Sequence, residues 1–246
     1  MEEISQGYDF PTFPNPLVEI KNLTKSYGSN VVLKNITFQL PRGTIVGLMG
    51  PNGSGKTSLM KILTGMINDY SGQVIIDGES IGAHTKAITA WLPDKTYLPQ
   101  WMSAKQAINY MADFYTNFDK PKALDMLEKF KLKPDMRVKS MSKGMQEKLL
   151  LLLTMSRNAE FYVLDEPLGG VDPSGRQFIM DTILNNRPED STILLSTHMI
   201  YDMERVFDYA LMIGDQRVLQ YNTVDFFEAA GRDLNQLFQE VFPYVG

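Results

Sequence analysis

"TIVGLMGPNGSGKTSLMKILTGM", residues 44–66, joins a continuous apolar run, a glycine-rich loop and a run with helical spacing. A short apolar run that ends in glycine predicts a buried strand, and apolar residues recurring every three or four positions predict a helix. The loop between them, "GPNGSGKT" at 50–57, fits the pattern G-x-x-x-x-G-K-[ST] at every fixed position. A buried strand that leads through such a loop into a helix is typical of an α/β fold with a parallel sheet.

The loop has the residue types that a phosphate site needs. Gly50, Gly53 and Gly55 allow successive backbone N–H groups to turn toward one centre. Lys56 would reach the outer phosphates of a nucleotide, and the Thr57 hydroxyl would bind Mg²⁺. We assign four neighbouring positions to the same nucleotide site: Pro51, Asn52, Ser54 and Ser58. A glycine turn that fits by chance is the alternative, and the flanking strand and helix argue against it.

A second apolar run, "FYVLDE" at 161–166, ends in two carboxylates. Asp165, at the end of a buried strand, could hold Mg²⁺ through its water shell. An unpaired charge at the end of a buried strand is costly, so Glu166 is interpreted as the group that polarises the water attacking the terminal phosphate. A helix-capping or solvated acid pair is the alternative.

The next strand pattern ends in "LSTHM" at 195–199, which places His198 just after a parallel strand. Ligands of open α/β sheets bind at the carboxyl ends of the strands. A histidine at that edge could donate a hydrogen bond to the terminal phosphate and detect its presence. Away from such an edge, a capping or surface histidine would be the better interpretation.

Composition argues against several classes of protein. The 246 residues include 43% hydrophobic and 22% charged residues, which is ordinary for a globular protein with a sizeable core. The net charge is −5, whereas proteins that mainly bind nucleic acid usually carry a basic excess, so we expect no nucleic-acid partner. The absence of cysteine excludes disulfides and cysteine metal sites. The N-terminal segment lacks the apolar core of a secretory signal, and no apolar run approaches ~20 residues, so we expect a soluble, cytoplasmic protein.

The order of patterns along the chain predicts one domain with a tail. Residues 1–16, with three prolines, predict an extended N-terminal tail, and alternation at 17–28 and 30–40 predicts two half-buried antiparallel strands. A helical, aromatic-rich stretch at about 95–145 precedes a region where strands and helices alternate. For residues 17–246 we therefore predict one α/β domain, a P-loop NTPase core with a mostly parallel sheet, a small antiparallel β subdomain and an inserted helical subdomain. Helices are predicted to begin at Lys143, Pro173 and His198, and "DLNQLFQEVF" near the C-terminus predicts a packed terminal helix.

Together, these motifs resemble those of the ATP-binding subunit of an ABC transporter over about residues 17–215. "MSKGMQ" at 141–146 is similar to the family's signature motif, usually L-S-G-G-Q, and keeps Ser142 and Gly144. The resemblance implies that two chains pair head to tail, and that each signature closes over the phosphate held by the other chain's loop. It also implies two partners: a second copy or a sister ATPase subunit, and a separate multi-span membrane permease that holds the chain at the inner face of the cell membrane.

Three further stretches resemble elements of the family. "PLGGVDP" at 167–173 is similar to its D-loop, which implies a place near the dimer seam for Asp172. Tyr27 lies where the family stacks an aromatic ring on adenine, although a core aromatic at a strand end is an equal alternative. "KTYLPQWM" at 95–102 lies where the family receives a coupling helix of the membrane subunit, and packing inside the helical subdomain is the alternative for Trp101.

Two positions depart from the usual pattern. Lys143 and Met145 replace a glycine and the glutamine of the signature. Lys143 could add positive charge near the partner's phosphate, or remain a solvated surface lysine. Asp94, in "WLPDKTYLP" at 91–99, replaces the glutamine of the family's Q-loop. Its carboxylate could offer an oxygen to Mg²⁺ or to the attacking water, or have only a loop role.

The sequence therefore predicts an ATP-hydrolysing subunit of a transporter, with ATP and Mg²⁺ as ligands and Lys56, Glu166 and His198 as catalytic residues. Export is favoured by family resemblance alone, and pairing with itself is the simpler expectation because both halves of the site are present in one chain. The rival is a soluble ABC-type ATPase that acts on nucleic acid or ribosomes; it shares every motif, but the acidic charge favours the transporter. A regulator that binds ATP without turnover is a weaker alternative because Glu166 and His198 are both present.

Overall fold

The computed structural model describes residues 10–169 and 171–243. Most of the predicted N-terminal tail, residues 1–9, lies outside this part of the chain. Its remainder has no helix or strand and packs against the core: the Phe13 amide donates to Gln39 Oε1 over 2.8 Å, and the Phe13 ring meets Tyr209 edge-on. The described part of the tail is therefore anchored to the domain.

The described residues form ten strands and nine α-helices. The strands are β1 (Val18–Tyr27), β2 (Asn30–Leu40), β3 (Ile45–Met49), β4 (Ser71–Ile76), β5 (Glu79–Ser80), β6 (Thr89–Leu92), β7 (Phe161–Asp165), β8 (Thr192–Ser196), β9 (Tyr209–Gly214) and β10 (Arg217–Thr223). The helices are α1 (Lys56–Leu63), α2 (Ala83–Ile88), α3 (Ala104–Phe114), α4 (Lys120–Lys129), α5 (Lys143–Met155), α6 (Pro173–Asn185), α7 (Ile200–Met203), α8 (Val224–Ala229) and α9 (Leu234–Val241). Within the described ranges, none of these helices is long and apolar enough to cross a membrane.

The strands form two sheets. One is four-stranded and antiparallel, in the order β2-β1-β4-β5, and the other is six-stranded, in the order β10-β9-β3-β8-β7-β6. Neighbours from β9 to β6 are parallel, and only β10 joins antiparallel, at one edge. The predicted fold class, a mostly parallel sheet with a small antiparallel β subdomain, is confirmed.

The parallel strands of the six-stranded sheet are buried on both faces, as expected when crossovers cover them, whereas the edge strand β10 is only partly buried. Alternate residues of β7 point to opposite faces. Phe161 and Val163 belong to the core shared with the antiparallel sheet and α1, whereas Tyr162 and Leu164 belong to the core beneath the other helices. This double burial explains why the strand sequences read as unbroken apolar runs.

Helices α3, α4 and α5 pack on one another in the predicted helical stretch. Helix α5 begins at Lys143 as predicted, but it continues to Met155 and packs on β6, so it connects the inserted helices to the central sheet. The boundaries of the helical subdomain, about 95–145, stay a prediction.

The helix predicted from His198 begins later and is short. Helix α7 starts at Ile200 and has one turn, followed by a 3₁₀ turn at Glu204–Val206. The Thr197 hydroxyl accepts a hydrogen bond from the Met199 amide over 2.9 Å, and this local turn holds His198 outside the helix. The predicted terminal helix is confirmed as α9, with Leu234 and Leu237 buried.

Candidate functional site

The candidate residues lie in loops that follow four adjacent parallel strands. The glycine-rich loop follows β3, Asp94 follows β6, Glu166 follows β7 and His198 follows β8. These strands are neighbours in the order β3-β8-β7-β6, so their carboxyl ends meet at one edge of the sheet. The fold thus brings four separate sequence motifs to one place.

Backbone geometry explains why two of the loop glycines cannot carry a side chain. Gly50 has φ 156°, and a Cβ atom there would lie 2.2 Å from the carbonyl oxygen of Ile213. Gly55 has φ 102°, and its Cβ would lie 2.7 Å from Leu33 Cδ2. Within the loop, the Ser54 hydroxyl is buried and has no hydrogen-bond partner among the described residues. A tight backbone turn with an unsatisfied donor suits an anion such as phosphate.

Lys56 begins α1 and folds back over the loop. Its Nζ donates to the carbonyl oxygens of Gly50, over 2.6 Å, and Pro51, over 3.1 Å. Burial lowers the pKa of Lys56, and the charges of Glu166 and Asp165 oppose that change. A buried ammonium bonded only to neutral carbonyls can gain from an anionic partner, so Lys56 also fits a phosphate ligand.

Asp165 is buried and is held by two hydroxyl donors. Thr57 Oγ1 donates to Asp165 Oδ2 over 2.9 Å, and Ser196 Oγ donates to Asp165 Oδ1 over 2.6 Å. Among the described residues, no group of three or more His, Cys, Asp or Glu side chains is arranged to hold a metal ion. Mg²⁺ takes one or two protein oxygens beside waters and substrate phosphates, so the Thr57 and Asp165 pair fits this ion without such a group.

Glu166 and His198 form the second polar pair. His198 Nδ1 lies 2.8 Å from Glu166 Oε2, and the Glu166 amide donates to Ser196 Oγ over 2.9 Å. Glu166 has φ 51°, a left-handed conformation that is unfavourable for a residue other than glycine. Its side chain is 22% exposed and that of His198 is 59% exposed. The backbone bonds hold Glu166 in a strained conformation with its carboxylate at the rim of the loop, as at many functional sites.

A groove of about 460 Å³ runs along the glycine-rich loop. Its lining includes Asp94, Asp165 and Glu166 together with residues of the loop and of β2. Tyr27, at the end of β1, is half-exposed and its hydroxyl lies 3.2 Å from Ser58 Oγ. The aromatic ring therefore stands beside the first turn of α1, next to the loop.

The signature residues lie elsewhere. Ser142 caps α5, where its Oγ accepts from the Met145 amide over 3.3 Å, and Ser142 and Gly144 are both exposed. They do not line the groove along the loop, but share a separate cavity of about 210 Å³ with Asp94 and Glu166. The groove along the loop and this cavity are therefore separate surfaces of one chain, with Asp94, Asp165 and Glu166 common to both.

Asp172 has a structural role in the chain. It caps α6, and its Oδ1 accepts from the Gly175 amide over 3.1 Å. It lines the same cavity as Ser142. Its place at the dimer seam stays a prediction.

Sequence reasoning missed Ser196. This buried serine donates to Asp165 and accepts from the Glu166 amide, so one hydroxyl connects both carboxylate residues. The available signal was a polar residue at the end of the apolar strand "STILLST", directly before the loop with His198.

The cluster at 95–102 divides into two kinds of residue. Tyr97 and Trp101 are exposed, at 53% and 62%, whereas Leu98 and Met102 are buried in the helical core. The alternative that Trp101 packs inside the helical subdomain is therefore wrong. Tyr97 also lines a second groove, of about 710 Å³, between the helices and the sheet.

The second groove is rich in cations and aromatic rings. Its cationic lining residues are Lys61, Lys86, Lys95 and Arg157. Arg157 is buried, its guanidinium lies 3.8 Å from the Tyr115 ring centre, and within the described ranges it forms no ion pair. The groove thus combines a net positive charge with exposed aromatic surface, which marks contact sites on many proteins.

Comparisons with known proteins agree with this geometry. The sequence pattern of the ABC transporter family matches residues 33–169. The lantibiotic transport ATP-binding protein SrtF of Streptococcus pyogenes is 30% identical over 90% of this chain and 96% of its own length. The SkfA peptide export ATP-binding protein SkfE of Bacillus subtilis is 28% identical over 86% of this chain and 91% of its own length. A solved structure of an ATP-binding subunit of an ABC transporter superposes with a TM-score of 0.84 at 25% identity, covering 92% of this chain and 99% of the other.

Proposed function

Because the chain belongs to the ABC transporter family as an ATP-binding subunit, we propose that two copies bind two Mg-ATP between them and drive transport through a separate membrane permease. ATP hydrolysis is the reaction that membership of this ATPase family implies. The observation that carries the proposal is the convergence of the loop at 50–57, Asp165, Glu166 and His198 at one edge of the sheet.

Within one copy, the loop binds the phosphates of ATP. Lys56 exchanges its bonds to two loop carbonyls for bonds to phosphate oxygens, which offsets the cost of its burial. Thr57 and Asp165 would hold Mg²⁺, which would neutralise charge on the phosphates. Tyr27 stacks on the adenine ring.

Glu166 and His198 act on the terminal phosphate side. Glu166 orients the attacking water and accepts its proton, since its carboxylate lies at the rim of the groove. Nε2 of His198, the ring nitrogen that does not contact Glu166, donates to the terminal phosphate. Asp94 offers a third carboxylate to the same water or to the Mg²⁺ shell.

The second half of each site comes from the other copy. Ser142 and Gly144 lie outside the groove along their own loop, and both are exposed at the start of α5. In a symmetric pair one surface serves both chains, so each signature closes over the other chain's phosphates. A hydroxyl, free N–H groups and the positive end of the helix dipole all favour the negative charge there.

The permease docks on the cation-rich groove between helices and sheet. Tyr97 and Tyr110 supply exposed aromatic surface there, and Asp94 lines both this groove and the one along the loop. A partner bound in this groove would therefore be connected to the nucleotide site through Asp94. We take export as the direction because the relative SkfE is named for peptide export.

Glu166→Gln tests the proposed function. The amide cannot accept a proton, so hydrolysis should fall by at least about 100-fold while Mg-ATP binding remains. The variant should then accumulate as a dimer in Mg-ATP, measured by gel filtration with light scattering. Glu128→Gln, an exposed glutamate on α4, is the matched control and should behave as the parent chain. A Glu166→Gln chain that hydrolyses ATP normally, or stays monomeric in saturating Mg-ATP, contradicts the proposal.

A further inference from the structure

Lys143 is an unfavourable residue for the place it occupies. It is the first residue of α5, directly after the cap Ser142, and the first turn of the helix contains no acidic residue. The positive end of the helix dipole disfavours a cation at this position. A neutral or acidic side chain at this position would stabilise helix α5 better, so helix stability does not explain the lysine.

One carboxylate, one turn further along α5, faces this lysine. Lys143 Nζ lies 3.6 Å from Glu147 Oε1, and the lysine side chain is 79% exposed. Exposed ion pairs of this kind contribute little to stability. The other oxygen, Glu147 Oε2, is buried and has no hydrogen-bond partner in the part of the chain that the structure describes. Burial raises the pKa of Glu147, and the charge of Lys143 opposes that rise. The ammonium is therefore loosely held and can exchange partners.

The rest of the signature has few polar side chains that could bind a phosphate. Met145, which replaces the usual glutamine, packs against the helical core instead of facing solvent with Ser142 and Lys143. The chain carries a net charge of −5, so two copies loaded with nucleotide repel each other. A flexible ammonium on the closing surface offsets part of that repulsion.

We propose that Lys143 leaves Glu147 when two copies close, and binds the terminal phosphate held by the other copy's loop. The terminal phosphate is then bound by two lysines from opposite sides, Lys56 of its own chain and Lys143 of the other copy. This role rests on the ATP-bound dimer of the proposed function. Glu147 holds the lysine in the open chain and competes with the phosphate for it.

The test measures the dimer dissociation constant by sedimentation, with Mg-ATP as the ligand and full-length chain carrying Glu166→Gln as the parent. Adding Lys143→Gln should weaken the dimer by about tenfold or more at low salt, because a charge-assisted hydrogen bond is lost at each of two sites. Adding Glu147→Gln should leave the dimer as tight or tighter, because it frees the lysine. Lys129→Gln is the matched control, since Lys129 forms an exposed pair with Asp125 at the same spacing in α4, and it should change nothing.

Opposite effects of the two substitutions separate this role from a structural ion pair. Equal weakening by Lys143→Gln and Glu147→Gln would overturn the proposal, and so would an unchanged dimer with Lys143→Gln. The difference between the parent and Lys143→Gln should also shrink in about 1 M salt, where charges are screened within about 3 Å. If the parent does not dimerise in Mg-ATP, that result contradicts the dimer of the proposed function, and the role of Lys143 is ruled out with it.

Discussion

Glu166 and His198 lie at the ends of adjacent parallel strands, and their side chains meet over 2.8 Å between Oε2 and Nδ1. The register of β7 with β8 sets Asp165 opposite Ser196, and Glu166 and His198 follow these two residues. Strand pairing therefore places the carboxylate and the imidazole together, while the Ser196 hydroxyl holds the backbone beneath them.

Ser196→Ala tests this arrangement. The change removes a donor to Asp165 and an acceptor for the Glu166 amide, so we expect Tm to fall by several degrees and turnover to fall by about tenfold. ATPase assays and thermal unfolding measure the two effects. Ser191→Ala is the control: this buried serine bonds the Pro188 carbonyl away from the site, so it should lower Tm without a matching loss of turnover. A Ser196→Ala chain with full turnover would show that Ser196 does not position the carboxylates.

Asp94→Ala tests a carboxylate that lines the groove along the loop, the cavity beside Ser142 and the cation-rich groove. We expect kcat to fall by about tenfold or more with little change in ATP affinity, because Asp94 lines the groove but lies outside the phosphate-binding loop. Asp94→Gln, the usual residue of the family, should keep most of the activity. Asp113→Ala, an exposed aspartate on α3, is the matched control. Unchanged turnover in Asp94→Ala would leave this residue with only a loop role.

Gly50→Ala tests the geometry of the loop. The new Cβ would lie 2.2 Å from the Ile213 carbonyl oxygen, so the backbone must shift at a cost of about 2 kcal/mol or more. We expect Tm to fall by about 4–8 °C and Mg-ATP binding to weaken strongly. Gly53→Ala is the control, because a Cβ there meets nothing within 4 Å, although its φ of 81° still adds some strain. Equal losses of Tm for the two variants would contradict this prediction.

The sequence indicated which residues would lie together better than it indicated the bonds between them. The loop at 50–57, Asp165 and Glu166 come from motifs with fixed spacing, and His198 comes from its place after a parallel strand. The structure brings them to one edge of the sheet, and their roles stay predictions. Ser196 was missed because a serine at the end of a strand has no distinctive pattern, and its two bonds depend on the register between strands.

In the fold as well, elements with a distinct sequence pattern were predicted and short elements without one were missed or misplaced. The long apolar strands were predicted, because burial on both faces leaves a clear pattern. The helices beginning at Lys143 and Pro173 were also predicted, whereas α8 was missed although Thr223 caps it. The strand β6 was missed because it has four residues and follows α2 without a turn signal. The one-turn α7 was placed two residues early because the hydrogen bond from the Met199 amide to Thr197 competes with the helix.

The pair of His84 and Asp77 predicts a pH dependence of stability. His84 Nε2 lies 2.9 Å from Asp77 Oδ2, and this hydrogen bond raises the pKa of His84 and, with Arg42, lowers that of Asp77. The stabilisation from His84 is present below its unfolded pKa and is lost as pH rises through its folded pKa. The contribution of Asp77 is lost as pH falls through its own lowered pKa.

His84→Gln should therefore lower Tm in a pH-dependent way. The difference in Tm between the parent chain and the variant should be largest between the lowered pKa of Asp77 and the unfolded pKa of His84, about 6.5, and should disappear as pH rises past the raised pKa of His84. Thermal unfolding across this range measures it. A difference that stays constant with pH would mean that the charge of His84 plays no part.

The central claim is that each nucleotide site is built from two chains, and a mixing experiment tests it most directly. Lys56→Ala damages the loop of a chain and leaves its signature intact, whereas Ser142→Trp damages the signature and leaves the loop intact. Each variant alone should lack ATPase activity. Mixed in equal amounts, half of the dimers contain one undamaged site, so the mixture should recover up to about a quarter of the parent activity. A mixture as inactive as its components, or a Ser142→Trp chain that is fully active alone, would contradict the account.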